Sequence, residues 1–211
     1  VVNNSTAGGS ADITFSGAVG TSSVALKSFT LTQGEAKMDG DVFADTMSTA
    51  NGHTFDFNGN VTAATSFTIG SRAQNTLTGN LTTGGIVVSG AAGGITFDGT
   101  GDQTVTGAIT NTANYADFTN NNAGGIVTIA GQFATNAAKG GNISGATGSQ
   151  TVFSSAVYAQ DITLLGTAKL TLEAATVLAD KLDTNAAGTN TLTLGGAFVD
   201  GTTAITSVNS E

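Results

Sequence analysis

One stretch of the chain reads Phe55-Asp56-Phe57-Asn58-Gly59-Asn60-Val61, in which apolar and polar residues alternate until a glycine interrupts them. The alternation suits a strand with one buried face, and the glycine suits the tight corner that ends it. The same order, apolar–x–apolar–x–Gly–x–apolar, returns at 13–19, 127–133 and 192–198, with shorter copies at 38–42, 77–81 and 105–109. A short strand followed by a corner is therefore the local unit of the whole chain.

The spacing of the glycines measures the length of this unit. They stand at positions 17, 40, 59, 79, then 99 or 107, then 131 and 196, with Ser155 in the place of one. Most intervals are 19–24 residues, and the last is two intervals long, with Ala174 as its midpoint. This length is too long for a hairpin and too short for a propeller blade. It predicts an all-β chain folded as a β-solenoid, similar to a parallel β-helix, with coils of about 19–24 residues.

Stacked coils make physical sense of the composition. Apolar residues of successive coils form one core, and asparagines tolerate the corner conformation and stack as ladders. The chain has no proline, so every backbone N–H remains available for pairing. The alternative is a β-sandwich of antiparallel strands joined by the same Gly-Asn turns. Six residues share one place in the repeat and are expected to be buried and stacked in register: Phe15, Phe57, Leu77, Phe97, Ile129 and Leu194.

One segment departs from the strand pattern. Residues 172–182 place Leu172, Ala175, Leu178, Ala179 and Leu182 on one side of a helical projection. An amphipathic helix is therefore the alternative to a strand there.

Charge and composition exclude several classes of protein. With 6 Lys+Arg against 15 Asp+Glu, the net charge is −9, so no nucleic-acid partner is expected. The absence of cysteine excludes a disulfide framework. No apolar run approaches the roughly 18–20 residues of a membrane helix, so no transmembrane segment is expected.

Segments 57–62 and 94–99, the latter followed by 105–110, resemble the β-strand repeats of bacterial cell-surface proteins. Such repeats occur in autotransporter passenger domains, rickettsial-type outer-surface proteins and S-layer proteins. The resemblance spans most of residues 11–200 through short motifs. It implies an extracellular, structural or adhesive role at the cell surface, and it carries over no catalytic residue.

The predicted function is that of a non-enzymatic extracellular structural protein. It would be a self-assembling subunit of a surface filament, sheath or S-layer, or an adhesin stalk. The alternative is a carbohydrate- or ice-binding β-solenoid module, because a flat threonine face can order water; the threonines at related positions are Thr14, Thr76, Thr96, Thr128 and Thr193. An enzyme is not expected, because the single histidine, His53, lies in a turn-like context and the basic residues are spread singly.

The chain divides into two parts in this interpretation. Residues 1–10 are a flexible or strand-donating segment, and residues 11–211 are a single β-rich repeat domain. Residues 202–208 again have the composition of a strand. Because unpaired strand edges act as templates for further pairing, a homopolymer formed through the terminal strands is expected. The alternative is a fragment whose ends are exposed only by truncation.

Calcium is the ligand that the acidic turns favour. Asp39, Asp41 and Asp45 supply three carboxylates within seven residues, and calcium prefers several oxygen ligands on a flexible loop. Asp98 and Asp102 form a second, sparser pair across a glycine turn. The alternative is that these carboxylates only solvate a weakly charged surface.

Overall fold

The computed structural model describes residues 12–112, 116–184 and 188–200, and every regular element among them is a β-strand. The strands line three faces of a coiled chain, numbered here in the order in which the chain visits them. Face 1 holds β1 (Asp12–Phe15), β3 (Glu35–Met38), β5 (Thr54–Phe57), β7 (Gln74–Leu77), β10 (Gly93–Phe97), β13 (Ala116–Asn120) and β15 (Asn142–Gly145). Face 2 holds β8 (Leu81–Thr83), β11 (Gln103–Val105), β14 (Ile126–Ile129), β16 (Gln150–Phe153), β18 (Lys169–Leu172) and β20 (Thr191–Leu194). Face 3 holds β2 (Leu26–Leu31), β9 (Gly85–Val88), β12 (Ala108–Asn111) and β21 (Phe198–Asp200).

Four longer strands bend from one face to the next. β4 (Val42–Thr49) and β6 (Val61–Ile69) run from face 2 to face 3. β17 (Val157–Leu164) and β19 (Thr176–Thr184) run from face 3 to face 1. In both pairs the register shifts once, at the bend. Such a bulge lets a strand turn a corner without giving up its pairing on either side.

Strands of successive coils pair in parallel. On face 1, Phe15 is the partner of Met38, and Phe57 is the partner of Leu77. Partners in successive coils are 18 to 25 positions apart, the limits being Leu31–Thr49 and Asn120–Gly145. About nine coils of a parallel β-solenoid result. The predicted fold is confirmed, and the antiparallel sandwich is wrong because neighbouring strands run in the same direction.

The core follows from the alternation within each strand. In β5, Phe55 and Phe57 are buried while Thr54 and Asp56 are turned outward. Phenylalanines of neighbouring coils then touch, with Phe29 and Phe55 at a ring-centroid distance of 5.4 Å and Phe97 and Phe118 at 5.3 Å. Burial of each such side chain contributes about 1.5–3 kcal/mol to folding.

The repeated glycine occupies two different corners, which corrects the single column expected. Gly17, Gly40, Gly59 and Gly79 lie between faces 1 and 2, and Gly99 continues that column. A second column lies between faces 2 and 3 and contains Gly107, Gly131, Ser155, Ala174 and Gly196. A Cβ added to Gly196 would lie 2.5 Å from the carbonyl carbon of Ala174, so the predicted midpoint of the long interval is confirmed.

A change in corner length explains the two columns. Leu77 and Leu81 are separated by a tight corner of four positions, whereas Phe97 and Val105, which continue the same two columns, are eight positions apart. Beyond this point the tight corner lies between Val105 and Ile109, one face later. The local repeat therefore slips by one face near the middle of the stack.

Two sequence predictions about packing are corrected. The six expected core residues fall into two columns, with Phe15, Phe57, Leu77 and Phe97 on face 1 and Ile129 and Leu194 on face 2. Leu194 is 47% exposed, because its strand is paired on one side only among the described residues. Residues 172–182 form no helix but the end of β18, a corner and most of β19, because Leu172, Leu178 and Leu182 each continue an apolar column of the preceding coil.

Candidate functional surfaces

A ladder of side-chain carboxylates and amides runs along the corner between faces 1 and 2. Asp41 Oδ1 accepts hydrogen bonds from the Asn60 backbone N–H at 2.8 Å and from Asn60 Nδ2 at 3.3 Å. Asn60 Oδ1 accepts from the Asn80 backbone N–H at 3.0 Å, and Asn80 Oδ1 accepts from the Thr104 backbone N–H at 2.8 Å. Each of these side chains ties its coil to the next, which confirms the expected asparagine ladder.

The three predicted calcium ligands lie on the second coil and each has a partner within the protein. Asp39 accepts a hydrogen bond from Asn58 Nδ2 at 2.9 Å and lies 3.4 Å from Lys37 Nζ. Asp41 belongs to the ladder, on the same corner as Asp39. Asp45 lies on the following bend, where Lys27 Nζ donates to its Oδ2 at 2.9 Å. That hydrogen bond and the negative charge of Asp45 raise the pKa of Lys27.

The structure therefore places Asp45 one corner away from the other two carboxylates, beyond the face 2 part of β4. Across residues 12–112, 116–184 and 188–200, no group of three or more His, Asp or Glu side chains is placed to hold a metal ion. Of the sparser pair, Asp102 Oδ1 accepts a hydrogen bond from the Ile126 backbone N–H at 2.9 Å. The acidic turns thus serve as links between coils in the structure, and calcium binding stays a prediction.

The groups that could support catalysis are dispersed. His53 follows a turn in which its backbone N–H donates to the Ala50 carbonyl at 3.4 Å. Arg72 lies in another turn, with a φ of 57°. The ion pairs recorded among the described residues each join one lysine to one aspartate at the surface: Lys27–Asp45, Lys37–Asp39 and Lys181–Asp183.

A buried carboxamide network, which the repeat pattern of the sequence did not predict, fills the wide corner in the middle of the stack. Gln103 Nε2 donates to the carbonyls of Leu77 and Gly79, both at 3.0 Å. Its Oε1 accepts from the Gly99 N–H at 3.1 Å and from Asn122 Nδ2 at 2.9 Å. Gln103 thereby bonds the Gly79 carbonyl and the Gly99 N–H at the longer corner, and it is a second donor to the Leu77 carbonyl, which also accepts from the Asp98 N–H.

Asn122 and Asn120 extend this network into the following coils. Asn122 Oδ1 accepts from the N–H groups of Gly124 and Gly125 at 2.9 and 3.0 Å. Asn120 Oδ1 accepts from the Asn122 N–H at 2.8 Å, and Asn120 Nδ2 donates to Thr151 Oγ1 at 2.8 Å. All these carboxamides are fully buried and bonded, so their role is to hold the corner. The only signal in the sequence was the unusually long interval between Gly79 and Gly107.

Outward hydroxyls form a continuous run on face 1. Five successive coils there carry, in register, Thr76, Thr96, Thr119, Ser144 and Thr163. The run is bounded by Asp56 on one side and Asp183 on the other. Of the threonines predicted to align, Thr14, Thr76 and Thr96 lie on face 1, whereas Thr128 and Thr193 lie on face 2. The expected single threonine column is therefore divided between two faces.

Of the six large apolar side chains that are exposed among the described residues, four lie in the first and last described coils, and the other two, Ile126 and Leu165, lie within the stack. In the last coil Leu194 is 47% exposed and Val199 is 51% exposed. In the first coil Val24 is 73% exposed and Leu26 is 37% exposed. The strands of these two coils are each paired on one side only within the described part of the chain. Segments 1–10 and 202–208, to which the sequence assigned strand donation, lie outside the described residues.

Comparisons with known proteins add no evidence on the function of this chain. No family model matches the chain, and no curated protein or solved structure matches it. Among the described residues there is no helix of the length and apolar character that crossing a membrane requires.

Proposed function

We propose that this chain is a non-enzymatic structural protein of the cell surface. Its solenoid is a rod that joins end to end with other copies, as the subunit of a filament, sheath or S-layer, or that forms the stalk of an adhesin. The observation that carries the proposal is the placement of exposed apolar side chains in the first and last described coils. An open strand edge with exposed apolar groups is a template for another chain.

A second copy of the same chain suits that edge because the three apolar columns continue across it. Among the described residues, Leu182 ends the face 1 column that Ile13 begins, and Leu194 ends the face 2 column that Val19 begins. On face 3, Phe198 ends the column that begins with Phe29. Stacking the first coil of one copy on the last coil of another would bring apolar residues together on every face. Such head-to-tail contacts produce an open filament.

The test compares charges placed at the end with a charge placed on the side. The variant L194K/V199K puts two lysines on the exposed edge of the last coil, whereas L165K alters an apolar residue that is 41% exposed within the stack. Analytical ultracentrifugation and electron microscopy of the purified full chain are expected to show rods for the unaltered protein and for L165K. The variant L194K/V199K is expected to stay monomeric. A monomeric unaltered chain at high concentration, or rods from all three proteins, would contradict end-to-end assembly.

A second candidate function, ice or carbohydrate binding, is favoured by the hydroxyl run on face 1. Ice binding gains support from five hydroxyls at the spacing of strands in a sheet, about 4.8 Å. Carbohydrate binding gains less, because the largest fully buried side chains include seven phenylalanines that point into the core. Thermal hysteresis in a solution of the full chain that is lost in T96K/T119K would support ice binding. A solution of the unaltered protein without thermal hysteresis would exclude ice binding.

A further inference from the structure

We infer that the chain contains one structural module twice, and that the second copy is turned by one face relative to the first. The first copy spans residues 12–83 and contains β1 to β8. The second spans residues 126–200 and contains β14 to β21. The sequence would then have a period of about 114 residues in addition to the period of one coil.

Backbone conformation provides the first evidence. Among the described residues of the second copy, three have positive φ: Ala134 at 59°, Gly148 at 83° and Gly166 at 57°. Each has a counterpart 114 positions earlier with positive φ: Gly20 at 76°, Gly34 at 80° and Gly52 at 75°. Residues other than glycine rarely adopt this conformation, and Ala134 adopts it at the position that corresponds to Gly20. The period of one coil does not account for this interval. It relates residues on the same face, whereas corresponding residues of the two copies lie on different faces.

Two loops with the same hydrogen bonds provide the second evidence. In the first copy Val24 N–H donates to the carbonyl and to Oγ1 of Thr21, at 3.2 and 2.9 Å. In the second copy Ala138 N–H donates to the carbonyl and to Oγ1 of Thr135, at 3.2 and 3.0 Å. Each threonine N–H closes the loop in return, at 3.0 and 3.1 Å.

The residues before these loops also correspond. Val19 makes a one-residue parallel bridge to Val42 in the following coil, and Phe133 makes one to Val157 in the following coil and another to Ile109 in the preceding coil. In both copies a one-residue bridge thus stands where other coils have a strand, and the positive-φ residue follows directly.

The bent strands provide the third evidence. β4 and β17 are both eight residues long and have the same order of buried and half-buried positions. β6 and β19, which pair with them, are both nine residues long. The register shift falls between Ala44 and Thr46 in one pair and between Ala159 and Asp161 in the other, 115 positions later.

Every element of the second copy lies one face further along than its counterpart. β1 is on face 1 and β14 on face 2, while β8 is on face 2 and β21 on face 3. The chain makes about five and one third coils between corresponding positions of the two copies. The second copy is therefore displaced along the axis of the solenoid and rotated by one face. As a result the Thr21 loop projects from the corner between faces 2 and 3, and the Thr135 loop projects from the corner between faces 3 and 1. The rod presents the same loop in two directions.

The test asks whether sequence requirements follow the module or the face. In one variant of the full chain, Val42–Thr49 is replaced by the sequence of residues 157–164, its module counterpart. In the matched control it is replaced by the sequence of residues 153–160, which occupies the same two faces five coils later with a corner one residue shorter, so that Tyr158 and not Val157 falls at position 47. Both donors have eight residues and overlap by half. The module counterpart puts apolar residues at all four buried positions, whereas the control puts Ser, Tyr and Gln at 44, 47 and 49.

We expect the thermal midpoint of the module variant to stay within about 5 °C of the unaltered protein, because three of its four buried positions stay apolar. At the fourth, Leu replaces Thr49, and Asn75 Oδ1 keeps the Phe55 N–H as a donor. The control is expected to lose more than about 10 °C or to remain unfolded, because it buries polar groups without partners. The reciprocal variant, with residues 42–49 placed at 157–164, is expected to fold as well. A module variant as unstable as the control, together with an unstable reciprocal variant, would overturn the inference, and so would a control as stable as the unaltered protein.

Discussion

Asn60 illustrates how one side chain at a corner serves two coils. Its Nδ2 and backbone N–H bond to Asp41 in the coil before, and its Oδ1 accepts from Asn80 in the coil after. An aspartate can begin such a ladder, because it only accepts, but it cannot continue the ladder as a donor. The carboxylates singled out as calcium ligands are thus already engaged as acceptors, and calcium would have to compete with those donors.

Calcium binding by Asp39, Asp41 and Asp45 has a direct consequence for stability. Because an ion that binds only the folded chain stabilises it by mass action, excess chelator should lower the thermal midpoint. At a calcium concentration of 100 times Kd the loss would be about 2.7 kcal/mol, or roughly 5–10 °C for a chain of this length. Differential scanning calorimetry with and without chelator measures it. An unchanged melting curve, or a chelator effect that persists in D39N/D41N, would count against this site.

Asp117 on face 1 gives the stability a pH dependence. Partial burial raises the pKa of Asp117, while the Asn142 backbone N–H, which donates to its Oδ1 at 3.0 Å, acts in the opposite direction. A carboxyl whose folded pKa is raised contributes stability below its unfolded pKa and loses that contribution as the pH rises through the folded value. Ionised Asp117 is therefore unfavourable at neutral pH.

The expected result is that Asp117→Asn melts at a higher temperature than the unaltered protein at neutral pH. The difference should shrink as the pH falls towards about 3.9, the ordinary value of aspartate. The matched control is Asp102→Asn, an exposed carboxylate with the same kind of backbone hydrogen bond. A difference for Asp117→Asn that is independent of pH would show that burial of its charge is not the cause.

At the scale of elements, the corners set how closely coils approach. The column Gly17, Gly40, Gly59 and Gly79 brings backbone directly onto backbone at a corner of four positions. A Cβ on Gly59 would lie 2.6 Å from the Gly40 carbonyl carbon, closer than real Cβ atoms approach, whereas a Cβ on Gly17 would meet nothing within 4 Å. The same corner thus needs glycine within the stack and does not need it in the first coil.

Substitution of these two glycines by alanine should separate the two situations. Gly59→Ala is expected to lower the free energy of unfolding by about 1–3 kcal/mol, because the neighbouring backbone must move. Gly17→Ala is expected to have almost no effect and serves as the control. Chemical denaturation of both variants measures the difference, and equal losses would mean that close approach is not what glycine provides at this corner.

For the whole molecule, stability is expected to be high within the stack and low at its ends. Phe57 is fully buried and packs against Phe55 and Phe67 at ring-centroid distances of 5.2 and 6.0 Å. Leu194 occupies an inward column too, but the coil that would cover it is not present among the described residues. In a solenoid each coil is stabilised mainly by its two neighbours, and within the described part of the chain the last coil has one.

A pair of truncations tests this gradient. Phe57→Ala should cost about 3–5 kcal/mol, because it leaves a cavity in the closed part of the core. Leu194→Ala should cost less than about 1 kcal/mol in the monomer, because the side chain is half exposed. Denaturant titration at low protein concentration keeps the measurement on the monomer. A loss at Leu194 as large as that at Phe57 would mean that the end of the stack is covered.

The sequence alone determined the coil. Alternation around Phe55 and Phe57, glycine at the corner and the interval near 20 residues together define a strand, a corner and a parallel return, and all three are local properties. The midpoint at Ala174 and the asparagine ladder at Asn60 and Asn80 followed from the same local rule.

Tertiary structure alone decided which face each repeat occupies. The pattern around Phe57 and that around Ile129 look alike, yet one lies on face 1 and the other on face 2, because the eight-position corner between Phe97 and Val105 lies between them. A face is set by the number of corners the chain has already turned, and a short motif does not record that number. Burial of Gln103 and Asn122, exposure of Leu194 and the strand at 176–184 depend on what lies in the coils above and below, so only the folded stack reveals them.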